Sequence, residues 1–179
     1  MFVKDFYHRL SRSRSLTVLL LIAASLGLGV LSLRFAAVLR ADEMFDSYFE
    51  NHWIAFLNLL PCVWLALTLW FATQRAAVAF ALSSLLVMGL SIASWFKLQF
   101  RNDPLMFEDL LLVKEAGNMS GRYQLFVTKS MLVALAVLLA AVLVLAFLGR
   151  ARLPWKARLA GVLVLLLCLI PGRRRWTRY

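Results

Sequence analysis

Very few residues of this 179-residue chain carry side chains able to do covalent or metal chemistry, and those few stand apart from one another. Cys62 and Cys168 both lie inside apolar runs, without a CxxC or Cys/His spacing. A disulfide or metal site therefore gives way to two small buried core residues. His8 and His52 sit near segment ends with no partnering ligand motif, and read as solvated or interfacial side chains. No His/Asp/Glu cluster of metal-ligand type occurs along the sequence, so no catalytic residue, cofactor-binding residue or metal ligand is assigned. What remains is phosphate recognition. Arg101, Lys114, Arg122 and Lys129 could hold an anionic lipid headgroup, since guanidinium groups bind phosphate bidentately. The simpler reading, and the preferred one, is anchoring by basic residues near helix ends.

The elements that would position these groups follow from composition. Hydrophobic residues make up 63% of the chain and charged ones 16%. Soluble domains run near 45–50% apolar and about 25% charged. No globular core of this length hides so much apolar surface, which excludes a soluble cytoplasmic enzyme, and disorder demands the opposite composition. The net charge of +11 is uneven: residues 1–115 hold ten basic and nine acidic side chains, residues 116–179 ten basic and none acidic. These cations punctuate apolar runs instead of gathering on a polar face, so nucleic acid is not an expected partner. Membrane lipids are.

A spanning helix needs about 20 mainly apolar residues. Four runs qualify, at about 16–33, 53–71, 76–96 and 131–148, and a shorter fifth covers 159–170. The fold class expected is all-α: a polytopic membrane helix bundle of four secure spans plus a short fifth. Residues 1–15 form a cytoplasmic N-terminus, 16–171 the transmembrane domain with its outer loop 97–129, and 172–179 a basic tail. The first run is too long for a cleavable signal and is followed by no clean small-x-small site, so it is read as an uncleaved helix.

Orientation follows from the short flanking segments. Lys4, Arg9, Arg12 and Arg14 put the N-terminus in the cytoplasm, and Arg75, Arg150, Arg152, Lys156 and Arg158 fall on the same side. Asp42, Glu43, Asp46 and Glu50 then lie outside, as does loop 97–129. Trp53 and Trp95 fall at the outer interface and Trp155 at the inner one, as aromatic belts require. The expected location is the cell membrane, multi-pass.

Within the spans, Pro61 frees a carbonyl of the second helix, near Asn58. Ala79/Ser83, Gly89/Ala93 and Ala136/Ala140 are small pairs at the spacing that lets helices approach closely. No Asp, Glu, Lys or His lies mid-span, which counts against a transporter or channel.

Loop 97–129 is the most informative segment. Asp103-Pro104 is a helix-start signal and Gly117-Asn118 a stop. Between them Met106, Leu110 and Val113 share one side and Glu108 and Glu115 the other, which predicts a short helix lying on the outer membrane surface over 104–116.

The residues Phe100-Arg101-x-Asp103-Pro104-Leu105, Asp109-Leu110-x-Leu112 and Glu115-Ala116-x-Asn118-Met119-x-Gly121-Arg122-Tyr123 make this loop resemble the lipoteichoic acid synthase family, the membrane-anchored phosphoglycerol transferases of Gram-positive bacteria. The resemblance covers about two dozen residues, and the order of spans around them is similar to the family's five-helix N-terminal region. It implies an anchor followed by an extracytoplasmic domain of the alkaline phosphatase/sulfatase type. In the family that domain uses a threonine nucleophile and manganese to transfer glycerol phosphate from phosphatidylglycerol to a growing polymer.

None of that machinery is encoded in these 179 residues. Only 171–179 follow the fifth run, and loop 97–129 is shorter than the roughly 40 residues a self-standing core needs. No catalytic residue is carried over. The first expectation is a truncated membrane anchor, inactive alone, whose catalytic domain is missing or separate. Its fifth run looks interrupted, being short and followed by Arg173, Arg174 and Arg175. The alternative is a self-sufficient small membrane protein, an accessory or lipid-binding subunit in cell-envelope polymer synthesis.

Overall fold

The computed structural model describes residues 13–36, 46–101, 106, 109, 128–149, 154–156 and 158–163. Four long helices account for most of them: α1 (Arg14–Ala36), α2 (His52–Thr73), α3 (Ala76–Arg101) and α4 (Lys129–Leu148). No strand occurs among the described residues, and all four helices are long and apolar enough to cross a membrane. The chain is an all-α bundle of a multi-pass membrane protein.

Local chemistry sets the helix ends. Asn51, in extended backbone, caps α2 by accepting a 2.9 Å hydrogen bond from Trp53 N through its Oδ1. Gln74 stops α2 in the left-handed region at φ 60°, where its amide donates to Trp70 O at 2.8 Å. Gln74 and Arg75 are the whole connection to α3, so α2 and α3 form a tight antiparallel pair. Thr128 caps α4, and at its other end the Gly149 amide donates to Leu145 O at 2.8 Å. A Cβ on Gly149 would lie 2.7 Å from Leu145 O and 3.1 Å from Ala76 Cβ, so glycine there permits α4 to close against the start of α3.

Each of α1 and α3 touches the other three helices, whereas α2 and α4 do not touch each other. The bundle is thus a central α1/α3 pair with α2 on one flank and α4 on the other. Its core gathers Leu21 and Leu28 of α1, Ala66 and Trp70 of α2, Ala79, Phe80 and Met88 of α3, and Ala134, Leu138 and Leu145 of α4. Ser25, Ser83 and Ser84 are buried among them and donate to carbonyls of their own helices, Leu21 O at 2.6 Å and Phe80 O at 2.9 and 2.6 Å. Such back-bonding satisfies a hydroxyl where water is absent.

Of the three small-residue pairs, Ala79/Ser83 alone is buried at a helix contact. Gly89 has open space where its side chain would be, and Ala136 and Ala140 are exposed, so those two pairs make no helix contact among the described residues. The close approach falls instead at Gly29, where a Cβ would come within 2.7 Å of Leu59 on α2. Around the outside stand Leu85, Leu132, Val133, Leu135, Leu139 and Leu143, all exposed, as expected where the solvent is lipid.

The fifth segment is helical in its described part, 155–156 and 158–163. It reaches back to α2: Arg158 donates from Nε to Phe71 O at 3.0 Å and from Nη2 to Ala72 O at 2.8 Å. One turn on, Gly161 lies against the Phe71 ring, which a Cβ would approach to 2.6 Å. Residues 164–170 of that expected span, the N-terminus 1–12, most of loop 97–129 with its expected surface helix, and the tail 171–179 lie outside the described residues.

Candidate functional site

Because α1 to α4 alternate in direction, the start of α1, the α2–α3 turn, the end of α4 and the 155–163 segment share one end of the bundle, the Arg14 end. The other holds residues 46–52, the end of α3 and the start of α4; this is the Asp46 end. Candidate chemistry at the Asp46 end centres on the last turns of α3. That helix runs past the apolar stretch, and its 26 residues span about 39 Å at about 1.5 Å each, more than a hydrocarbon core of about 30 Å. Lys97 stands near the end of the candidate span Ala76–Leu98.

There the Lys97 Nζ meets Asp109 Oδ2 at 2.6 Å, with the two side chains 17% and 25% exposed. The same Oδ2 accepts from the Met106 amide at 2.7 Å, and the Asp109 amide donates to Met106 O at 3.1 Å. This is the reciprocal bonding of a capping turn, with the carboxylate reaching back to the first amide. One carboxylate therefore does two things: it nucleates a turn in the loop and fastens that turn to α3. A charge-assisted bond this short and this sheltered is stronger than an exposed ion pair.

A second tether lies on α2, where Asn58 Nδ2 donates to Tyr48 O at 3.3 Å and holds the 46–50 stretch along the helix. The indoles at the two ends separate into different roles. Trp53 and Trp155 are 71% and 65% exposed, as interfacial residues should be. Trp95 is only 9% exposed and packs in the core edge to face with Phe96, at 4.9 Å between centroids, near the Asp46 end of α3.

Of the four candidate lipid-contact cations, Lys129 is described with its side chain and stands exposed at the first position of α4. Arg101 closes α3 at the same end of the bundle as a backbone position, and Lys114 and Arg122 lie outside the described residues. The structure brings Arg101 and Lys129 to one end and leaves the grouping of all four open. Sequence reasoning missed Lys97–Asp109 and the Arg158 clasp. The first had a usable signal, a lone cation at a span end followed by a carboxylate at a plausible capping position. The second had only the general preference of cations for helix C-termini.

Cys62 is free and buried in α2, as expected, and His52 is exposed at the start of that helix; Cys168 and His8 lie outside the described residues. Among the described residues no group of His, Cys, Asp and Glu could hold a metal ion. Fold and site together define a multi-pass, all-α membrane bundle carrying an ion-paired loop at one end. A scan against protein-family models and searches of curated proteins and of solved structures found no match for this chain.

Proposed function

We propose that this chain is the membrane-anchor region of a lipoteichoic acid synthase-like, sulfatase-type phosphoglycerol transferase. The supporting observation is Asp109. It belongs to the loop stretch that resembles the family, and it is the residue that binds that loop to the bundle through Lys97. A residue with that double duty is one a family would keep as a motif.

In this reading the Arg14 end is cytoplasmic and the Asp46 end extracytoplasmic, by the charge distribution. The anchor holds its loop at the outer leaflet, where phosphatidylglycerol is the glycerol phosphate donor. Arg101, Lys114, Arg122 and Lys129 anchor the span ends there. Phosphoryl transfer belongs to a domain outside these 179 residues, with the threonine and manganese that the resemblance implies. Transfer needs a nucleophile and a charge-stabilising metal in one preorganised site, and among the described residues no group of His, Cys, Asp and Glu could hold that metal.

Two measurements test the proposal. Sequencing the DNA downstream should reveal a sulfatase-type reading frame, in register or displaced. A stop codon followed by no related coding sequence in any frame would refute the anchor reading and favour a self-sufficient accessory subunit. Purified alone, the chain should release no glycerol phosphate from phosphatidylglycerol with or without manganese. Turnover that survives removal of contaminating enzyme would assign the chemistry to this chain instead.

A further inference from the structure

The two ends of the bundle treat their cations differently. At the Asp46 end the described charges include three carboxylates, Asp46, Glu50 and Asp109, and Lys97 is paired with one of them. At the Arg14 end stand Arg14, Arg75, Lys156 and Arg158, and among the described residues that end has no carboxylate at all. Arg14, Arg75 and Lys156 are exposed, while Arg158 is half-buried and committed to the carbonyls of Phe71 and Ala72.

Those carbonyls close α2, whose C-terminus carries partial negative charge of about half a unit, so Arg158 is only partly neutralised there. Three residues beyond Ala72 comes Arg75, and two before Arg158 comes Lys156. The Arg158 clasp thus sets the segment that carries Lys156 against the end of α2 that leads into Arg75, although more than 80 positions separate them in the chain. Beside Lys156, Trp155 stands 65% exposed, an indole with an apolar body and one donor. Uncompensated cations flanked by an exposed indole, at the mouth of a bundle clad in apolar side chains, match one partner class best. It has negative phosphates at the headgroup plane and hydrocarbon directly beneath.

We infer that the Arg14 end is a docking surface for the phosphodiester headgroups of anionic phospholipids, with Arg75 and Lys156 as its exposed contacts and Trp155 as its interfacial anchor. This goes beyond the anchor reading and does not depend on it. It is also more than the bias of loop charges, which concerns insertion. Here lipid is selected at equilibrium by a surface that a clasp between α2 and the fifth segment assembles. Each juxtamembrane cation contributes a factor of about five to anionic-lipid affinity.

The experiment uses the full chain purified in detergent at physiological salt. Binding of dioleoyl phosphatidylglycerol and of dioleoyl phosphatidylcholine is titrated and followed by native mass spectrometry. Phosphatidylglycerol should bind about 25-fold more tightly, two cations at about fivefold each setting the scale. The double variant Arg75→Gln/Lys156→Gln should lose about 25-fold in phosphatidylglycerol affinity with phosphatidylcholine unchanged. Both side chains are exposed, so helicity by circular dichroism should stay intact. Arg34→Gln, an exposed cation at the opposite end, should change phosphatidylglycerol affinity less than about twofold, since it lies outside the proposed surface. Equal affinity for the two lipids, an unaltered double variant, or an equal loss in Arg34→Gln would each overturn the inference. An unaltered double variant would hand the surface to an acidic protein segment.

Discussion

Replacing Asp109 by asparagine removes a charge while keeping an oxygen able to accept from the Met106 amide, so it isolates the ion pair from the capping turn. Two unit charges about 4 Å apart attract by about 4 kcal/mol at an effective dielectric of about 20. Desolvation cancels much of that. Exposed pairs retain about 0.2–1 kcal/mol, and severing a fully buried pair costs about 3–5 kcal/mol. With side chains 17% and 25% exposed, Lys97–Asp109 lies between these limits. A coupling of about 1.5 kcal/mol follows, and each of Asp109→Asn and Lys97→Met should cost about 1–2 kcal/mol. The assay is a double-mutant cycle, with reversible unfolding in mixed micelles followed by far-ultraviolet circular dichroism. The double variant should be less destabilised than the sum of the singles by that coupling. Additivity within about 0.5 kcal/mol would refute the reasoning, because it would mean that the 2.6 Å pair contributes nothing that either residue does not contribute alone.

Three further outcomes are expected. Gly29→Ala should destabilise by about 1–3 kcal/mol through overpacking against Leu59, whereas Gly27→Ala, with nothing within 4 Å, should be neutral or gain up to about 1 kcal/mol of helix propensity in the same unfolding assay. Arg158→Ala should lose about 1–3 kcal/mol as Ala72 O loses its side-chain donor and Phe71 O keeps only that of Gln74, and Arg158→Lys, unable to make the same two-pronged contact, should recover less than half as judged by thermal melting. Asn102→Cys and Asn118→Cys, each in a background lacking Cys62 and Cys168, should label with an impermeant thiol reagent on intact cells; labelling only after lysis would invert the orientation.

Helix positions were legible because a spanning segment is set by length and polarity. The expected runs 16–33, 53–71, 76–96 and 131–148 sit inside Arg14–Ala36, His52–Thr73, Ala76–Arg101 and Lys129–Leu148. The helices outrun them where polar residues extend the ends, Asn51 by capping α2 and Lys97 by pairing beyond the apolar stretch of α3. Neighbour relations were not legible. In a soluble helix the apolar stripe marks the buried side, but here Leu138 faces protein and Leu139 faces lipid with the same chemistry. Hence spacing could not separate Ala79/Ser83, which is buried, from Ala136/Ala140, which is exposed, and it did not reveal that the Trp95 ring is enclosed. Of the candidate site, the sequence offered cations and a loop. The Lys97–Asp109 pair was harder to read, since its twelve-residue separation carries no periodic signal and only the plausible capping position of Asp109 hinted at it.

Because α2 and α4 share no contact, the bundle can be assembled in stages as its helices are made. The α2–α3 hairpin, joined by two residues, can zip as soon as both strokes have left the ribosome. The groove that α1 fills exists only once that hairpin is present, since α1 packs on both partners. Helix α4 emerges later and finds a finished surface on α1 and α3, so it joins as an addition and leaves the three-helix unit undisturbed. The Arg158 contact can form only after these four helices, and it ties the fifth segment back to a helix more than 80 residues earlier in the chain.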